Sequence, residues 1–185
     1  GGRCLMTSSK HLCGSDRLAE CVDILHLDDD DVILNIQGDE PMIQSGMIYD
    51  LISTMLDKNT VMGTLKEKIT NTEDINNPNI VKVITDINDN AIYFSRFALP
   101  YNRNLDSNIC YYRHVGVYAY RVHFLRKYTN WSKSEHESAE SLEQLRVIDN
   151  GYKIKVKETE SSSMGVDTEA QLKYVERIMK EREYE

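Results

Sequence analysis

The stretch Val32-Ile33-Leu34-Asn35-Ile36-Gln37-Gly38-Asp39-Glu40-Pro41 decides the fold. An apolar run of strand character stops abruptly in a polar turn holding two carboxylates, a glycine and a proline. In open α/β sheets ligands bind beyond the carboxyl ends of the strands, so a turn of this make-up falls where chemistry is done. Gly38 permits close backbone approach, Pro41 fixes the exit direction, and Asp39 can offer an oxygen to a metal-bound phosphate. The same residues also suit a plain β-to-α turn, since Gly, Asp and Pro are ordinary turn formers.

Outward from this turn, the pattern alternates between strand and helix. Arg3–Met6 reads as a short strand, and Ser15 as the N-cap of a helix whose buried stripe is Leu18, Val22 and Leu25. Downstream, Met47, Ile48, Leu51, Ile52, Met55 and Leu56 recur at helical spacing and predict an amphipathic helix on a sheet, with the methionines as core filler. Strands are expected at Val61–Leu65, Ile80–Ile84, Ala91–Phe94, Arg113–Tyr120 and Ile154–Val156. Asp86–Asn90 reads as a hairpin turn and Asn102–Asn108 as a surface loop. Helices are expected from Val122, over Ser138–Asn150, and after the capping-box run Thr168-Glu169-Ala170-Gln171. The run Asp28–Asp31 lacks the interleaved glycine of a calcium loop and reads as solvated. The order begins as alternating β and α and becomes antiparallel-looking around residues 80–120, so the expected architecture is three-layer α/β/α and Rossmann-like, with a mixed, mainly parallel sheet.

Composition narrows the function. The 185 residues, 41% hydrophobic and 28% charged, suit one domain over 1–185 with a full core. A net charge of −8 without a basic run argues against nucleic acid or an anionic membrane as partner. Cys4, Cys13, Cys21 and Cys110 have neither zinc-site spacing nor the density of a disulfide scaffold, so they read as reduced thiols of a cytoplasmic protein. No run approaches the ~18 apolar residues of a membrane span, and no signal peptide is evident. The opening Gly1-Gly2-Arg3 reads as the interior of a fold, which suggests a longer native chain.

Four polar clusters interrupt this scaffold. Gly14-Ser15-Asp16-Arg17 opens a helix, where backbone amides, Ser15 and Arg17 suit a base or phosphate, although capping explains Ser-Asp equally well. The Gln37–Pro41 turn is the second. The third joins Tyr93-Phe94-Ser95-Arg96 to Arg113-His114-Val115-Gly116-Val117-Tyr118; its arginines can fork onto a carboxylate, and a lone His is more often structural. Glu140, Glu143, Gln144 and Arg146 share one predicted helix, where most charges face water. Asp167 precedes a capped helix and suits its N-terminus. Asp39 and Asp167 nevertheless both lie at strand-to-helix junctions, and two carboxylates plus substrate phosphates are the usual protein share of a magnesium site.

Read together, the blocks MTSSKHLCGSDRLAE (6–20), NIQGDEPMI (35–43), NPNIVKVI (77–84), IYFSRFALPY (92–101), RHVGVYAYR (113–121), ESLEQLRVIDNGYKIKV (140–156) and GVDTEAQL (165–172) resemble the cytidylyltransferase family that makes CMP-Kdo. The order of blocks across nearly the whole chain is far more specific than any one motif, and separates this family from its relatives that activate sialic acid. The family opens with a strand and a basic, glycine-bearing loop around the triphosphate. No block here matches it, so the resemblance begins one β-α-β unit late. It implies attack of the anomeric hydroxyl of Kdo on the α-phosphorus of CTP, giving CMP-Kdo and pyrophosphate for lipopolysaccharide or a related glycan, in a cytoplasmic homodimer. It also implies Mg2+ on Asp39 and Asp167, CTP contacts from Thr7, Ser15, Arg17 and Gln37, and Kdo contacts from Arg96, His114, Tyr118, Glu143 and Gln144. Other readings are a non-catalytic nucleotide- or sugar-binding remnant, a cytidylyltransferase for another sugar acid such as sialic acid, and a retaining glycosyltransferase. The last lacks the expected Asp-X-Asp turn, since Gly38-Asp39-Glu40 stands there.

Overall fold

The ten-residue strand Tyr112–Arg121 (β5) organises the molecule. A computed structural model describes residues 2, 4–11, 13–106, 108–161, 165, 166 and 168–183. Its strands are β1 (Val32–Asn35), β2 (Met62–Lys68), β3 (Lys82–Thr85), β4 (Ala91–Ser95), β5 and β6 (Lys155–Glu158). Its helices are α1 (Gly14–Ile24), α2 (Ser45–Ser53), α3 (Val122–Thr129), α4 (Glu135–Glu140), α5 (Leu145–Asp149) and α6 (Glu169–Glu183), with a short 3-10 turn over Thr72–Asn76. The sheet order is β4-β3-β5-β2-β6, and β1 also pairs with β5. β2 runs along one edge of β5, from Met62 opposite Tyr120 to Lys68 opposite Tyr112. The other edge is shared end to end: β1 takes Tyr118–Arg121, and β3 joins at Arg113.

This sheet is mixed but mostly antiparallel, which corrects the expectation of a mainly parallel one. β1, β2 and β3 are antiparallel to β5 and β4 is antiparallel to β3; among the described strands only β2 and β6 are parallel. The reason lies in the connections. β5 returns against β1, β2 and β3 alike, and the Asp86–Asn90 turn between β3 and β4, as expected, is far too short for the crossover of roughly a dozen residues that a parallel pair needs. Asp86 instead closes a hairpin by accepting the backbone N–H groups of Asn88 and Asn90, each at 2.8 Å.

Strict alternation along β5 builds two cores. Val115, Val117 and Ala119 face α2, where they bury Met47, Leu51 and Met55 with Leu65 of β2. Tyr120 faces the other way, into a larger cluster with Val22 of α1, Phe124, Leu125 and Tyr128 of α3, and Leu145 and Val147 of α5, with Tyr118 packed against it. Helices therefore cover both sheet faces. No helix among the described residues is long and apolar enough to cross a membrane.

Three local expectations fare differently. Residues 4–6 form no strand, because Cys4, Leu5 and Met6 are all exposed and have no face to bury; Arg3 lies outside the described residues. The helix expected over 138–150 is two helices. A capping box between Ser134 and Glu137 starts α4 early, and Ser141 ends it in the left-handed region at φ 55°. That break turns both Leu142 and Gln144 inward. The capping box before α6 is present: Thr168 N–H donates to Gln171 Oε1 at 2.9 Å, and Gln171 N–H to Thr168 Oγ1 at 3.3 Å.

β5 is irregular in its middle. Its register against β2 slips by two residues between Thr64 and Leu65. Buried Thr64 stitches the irregularity: its hydroxyl lies 2.7 Å from the Val117 carbonyl and 3.2 Å from that of Val115. With its single proton given to a carbonyl, Thr64 must accept from His114 Nε2 at 2.9 Å. The imidazole is thus the neutral Nε2–H tautomer, wedged between Phe94 and Tyr118. Its removal from water, aided by neighbouring Arg113, pushes its pKa down to about 3.

Two expected outcomes follow from this packing. A methyl group at Gly63 would stand 1.9 Å from Thr54 Oγ1 and 2.8 Å from its Cβ, so Gly63→Ala should destabilise the protein by about 1–3 kcal/mol or more, read from the urea midpoint. A change below about 0.5 kcal/mol would mean that Thr54 moves freely. Folded His114 should stay neutral from pH 8 to pH 5, whereas the unfolded residue takes up a proton near pH 6.5. It therefore contributes stability above that pH, and the contribution is lost as pH falls towards 3. Imidazole nitrogen shifts in an NMR titration report this directly, and titration near pH 6.5 would contradict the tautomer.

Candidate active site

β1 ends at Asn35, opposite Tyr118, so its polar turn emerges where β1 and β3 leave a gap along β5. The β5 irregularity lies beneath this gap. A methyl group on Gly116 would be 4.0 Å from Glu40 Oε1, and one on Gly165 would be 3.3 Å from it. The two glycines thus leave room for the Glu40 carboxylate. The Gly165–Val166 segment is tied to the same turn by Val166 N–H, which donates to the Asp39 carbonyl at 2.8 Å. Asp39 itself is exposed, and among the described residues its carboxylate has no partner.

Beside the turn is a cavity of about 280 Å³, lined by Gly14, Ser15, Asn35, Gln37, Met62, Tyr118, Tyr120, Tyr128 and the segment Ser141–Gln144. Five residues expected from sequence meet here: Ser15, Gln37, Tyr118, Glu143 and Gln144. Ser15 is not the N-cap, a position held by Cys13. It lies inside α1, nearly buried, and its hydroxyl donates to Glu143 Oε2 at 2.8 Å. Gln144 is 4% exposed, and its side-chain amide has no hydrogen-bond partner among the described residues. No polar side-chain atom there is both sealed from solvent and unpaired, so that amide meets the cavity.

The tyrosines supply neutral donors. Burial pushes the Tyr118, Tyr120 and Tyr128 hydroxyls well above the ordinary phenol range, so all three keep their protons. Tyr128 donates to the Glu143 carbonyl at 3.1 Å. Behind it, buried Glu137 takes a bidentate pair from Arg146 at 2.6 and 2.7 Å, and Arg146 stacks over the Tyr128 ring.

The other expected residues lie around this cavity. His114 adjoins it through Tyr118, with ring centroids 5.4 Å apart. Thr7 and Arg17 hydrogen-bond to each other beside α1, and neither lines the cavity. Arg96 sits in a neighbouring groove of about 520 Å³ with Asn76, Pro78, Tyr93, Phe97 and Glu140. Asp167 lies outside the described residues, and among those described no three His, Cys, Asp or Glu side chains form a metal-binding group. Reading by motif missed Asn35, Met62, Tyr120, Tyr128, Ser141 and Leu142 as cavity walls. The alternation of Tyr118 and Tyr120 on β5 was the one available signal for part of that wall.

The family model of cytidylyltransferases matches residues 1–155. The 3-deoxy-manno-octulosonate cytidylyltransferase of Fusobacterium nucleatum is 48% identical over 182 residues, covering 98% of this chain and 73% of its own length. That of Thermodesulfovibrio yellowstonii is 43% identical over 189 residues, covering 97% and 74%. A CMP:2-keto-3-deoxy-manno-octonic acid synthetase solved with CTP superposes at a TM-score of 0.90 with 38% identity, covering 98% of this chain and 74% of that one. A putative glucose-1-phosphate thymidylyltransferase from Bacillus anthracis shares the fold at a TM-score of 0.58 and 13% identity. The mixed α/β sheet is thus that of a nucleotidyltransferase fold, and the chain belongs to the 3-deoxy-manno-octulosonate cytidylyltransferase family.

Proposed function

We propose that the cavity beside β5 holds the eight-carbon sugar acid Kdo while the Gln37–Pro41 turn faces the phosphates of CTP. The reaction is transfer of the cytidylyl group to Kdo, giving CMP-Kdo and pyrophosphate for lipopolysaccharide or a related glycan. The observation that carries this is 43–48% identity to Kdo cytidylyltransferases over nearly the whole chain, with Tyr118, Glu143 and Gln144 of the expected sugar-acid set lining one cavity and Ser15 and Gln37 of the nucleotide set beside them.

The residues divide by chemistry. A sugar acid offers hydroxyls and one carboxylate, and the cavity meets hydroxyls with the Gln144 amide, the Glu143 carboxylate and the Tyr118 phenol. Glu143 is already oriented by Ser15, so little side-chain entropy is lost on binding. Neutral His114, bonded to Thr64 at Nε2, orients the Tyr118 side of the wall. Thr7, Arg17 and Gln37 serve the nucleotide. The anomeric hydroxyl attacks the α-phosphorus in line as the bond to pyrophosphate breaks, and the built walls hold the two reactants in that geometry.

The donor set at the turn fits magnesium, which binds through one or two carboxylates and takes its remaining ligands from phosphates and water. Asp39 presents an exposed carboxylate, and the Val166 N–H ties the Gly165–Val166 segment to its backbone. Asp39 and Asp167 would hold the ion, and Mg2+ bound there would neutralise charge developing on the phosphate oxygens. On the family resemblance, we place the enzyme in the cytoplasm as a homodimer.

Two measurements test this reading. Pyrophosphate release from CTP should require Kdo and be slight with sialic acid, and Gln144→Ala should raise KM for Kdo by about tenfold while leaving that for CTP near its original value. Equal turnover with sialic acid would overturn the substrate. Asp39→Asn removes one charge at nearly constant shape and should cost about a hundredfold in kcat, with a rightward shift in the Mg2+ titration. Near-normal turnover would remove Asp39 from the site.

A further inference from the structure

The segment Ser141–Gln144 carries two of the groups that face the cavity, yet it belongs to neither flanking helix. α4 stops at Glu140, Ser141 is held at φ 55°, and α5 starts only at Leu145. A left-handed non-glycine residue persists only where its surroundings over-determine it. The structure shows what does so, on both sides. At the far end, the Glu143 carboxylate accepts from Ser15 and its carbonyl accepts from Tyr128. At the near end the Ser141 and Leu142 backbone N–H groups donate to the Glu137 carbonyl, and Glu140 ties the break to the sheet.

Glu140 is gripped by the end of β4 at three points. Its Oε1 accepts from the buried Ser95 hydroxyl at 2.5 Å, and its Oε2 accepts the Arg96 backbone N–H at 2.9 Å. Its own carbonyl, at the peptide bond to Ser141, accepts Arg96 Nε at 2.8 Å. Arg96 is itself immobilised: its Nη1 donates to the Pro78 carbonyl at 3.0 Å, and its carbonyl accepts from Lys82 Nζ at 2.6 Å. Lys82 is fully buried and gives its other two protons to the carbonyls of Asn77 and Ile80. Each partner in this chain is bound in turn to a strand or to the loop before one, so the grip is rigid.

We propose that Glu140 is a positioning residue for the sugar acid: with Ser95 and Arg96 it fixes the Ser141–Gln144 wall, and Arg96 serves the sugar through Glu140 instead of touching it. This rests on the assignment of the cavity to Kdo. The Arg96 guanidinium lies in the neighbouring groove and spends two of its donors on backbone carbonyls, one of them that of Glu140. Removing the Glu140 carboxylate cuts the tie between the wall and the end of β4, so Glu143 and Gln144 are held less closely against the sugar, while the Asp39 turn stays in place.

The test is steady-state pyrophosphate release with Kdo and CTP varied in turn. Glu140→Ala should raise KM for Kdo by about tenfold or more with KM for CTP within about twofold, a split that a mere loss of folded protein cannot produce because it lowers kcat alone. Glu140→Gln, whose amide can still accept from Arg96 and donate to Ser95, should stay within about threefold of wild type. Arg96→Ala should resemble Glu140→Ala, and the double variant should be no worse than either, since residues acting as one unit are non-additive. Hydrogen exchange should quicken at residues 141–145 of Glu140→Ala and remain unchanged at 32–36. Should Glu140→Ala fail to fold, Ser95→Ala removes a single bond and should still raise KM for Kdo by about threefold. An unchanged KM for Kdo, equal rises for both substrates, or multiplying losses in the double variant would each overturn the proposal. Wild-type protein that ignores Kdo would overturn the cavity assignment first, and the positioning role with it.

Discussion

One strand has to satisfy four neighbourhoods at once. β5 hydrogen-bonds along both edges and buries side chains on both faces, so its residues leave little room for substitution. Its aliphatic residues fill the α2 side, and its aromatics fill the side shared by α1, α3 and α5. Where that strand slips register, Thr64 and His114 spend their hydrogen-bonding capacity on mending it. The slip lies where two shorter strands share one edge, and the gap between them is where the polar turn after β1 emerges. The irregularity and the site are one feature, because a fully paired strand has no backbone to spare for a neighbouring turn.

Around that gap the protein buries charge and satisfies it fully. Glu137 is paired bidentately with Arg146, and Lys82 gives all three protons to carbonyls. A buried ion pair such as the first adds little net stability over apolar residues of the same shape, and stripping either buried charge of its partners is costly. Their effect is to hold irregular backbone in one geometry. Both lie beside the break between α4 and α5, where the chain leaves helical structure to turn Gln144 inward. The cavity wall is therefore held in place by groups that do not line it.

Much of this was legible in the order of residues. The strand-end turn, the amphipathic α2, the capped α6 and the Asp86 hairpin each follow from local chemistry, since periodicity, caps and turn formers act over a few residues. The run of blocks from 6 to 172 carried the family. Illegible were features that depend on partners distant in sequence. Ser15 looks like a helix cap, but its hydroxyl is taken by Glu143, a residue 128 positions away. Glu143 and Gln144 look like one face of a continuous helix, but Ser141 breaks it. Arg96 looks like a free cation for a carboxylate, but backbone carbonyls occupy its fork.

The sequence by itself determined most of the elements, the turn carrying Asp39 and the class of reaction, because each rests on residues adjacent, at short periodic spacing or in an ordered run of blocks. Tertiary structure alone decided the directions of the strands around β5, the gap along it and which polar groups share a cavity. Strand direction depends on how connections of different length close, and a cavity wall depends on which chain segments meet across the sheet. Neither quantity is contained in any local window of the chain, since both arise only when long-range hydrogen bonds choose among partners of equal local merit.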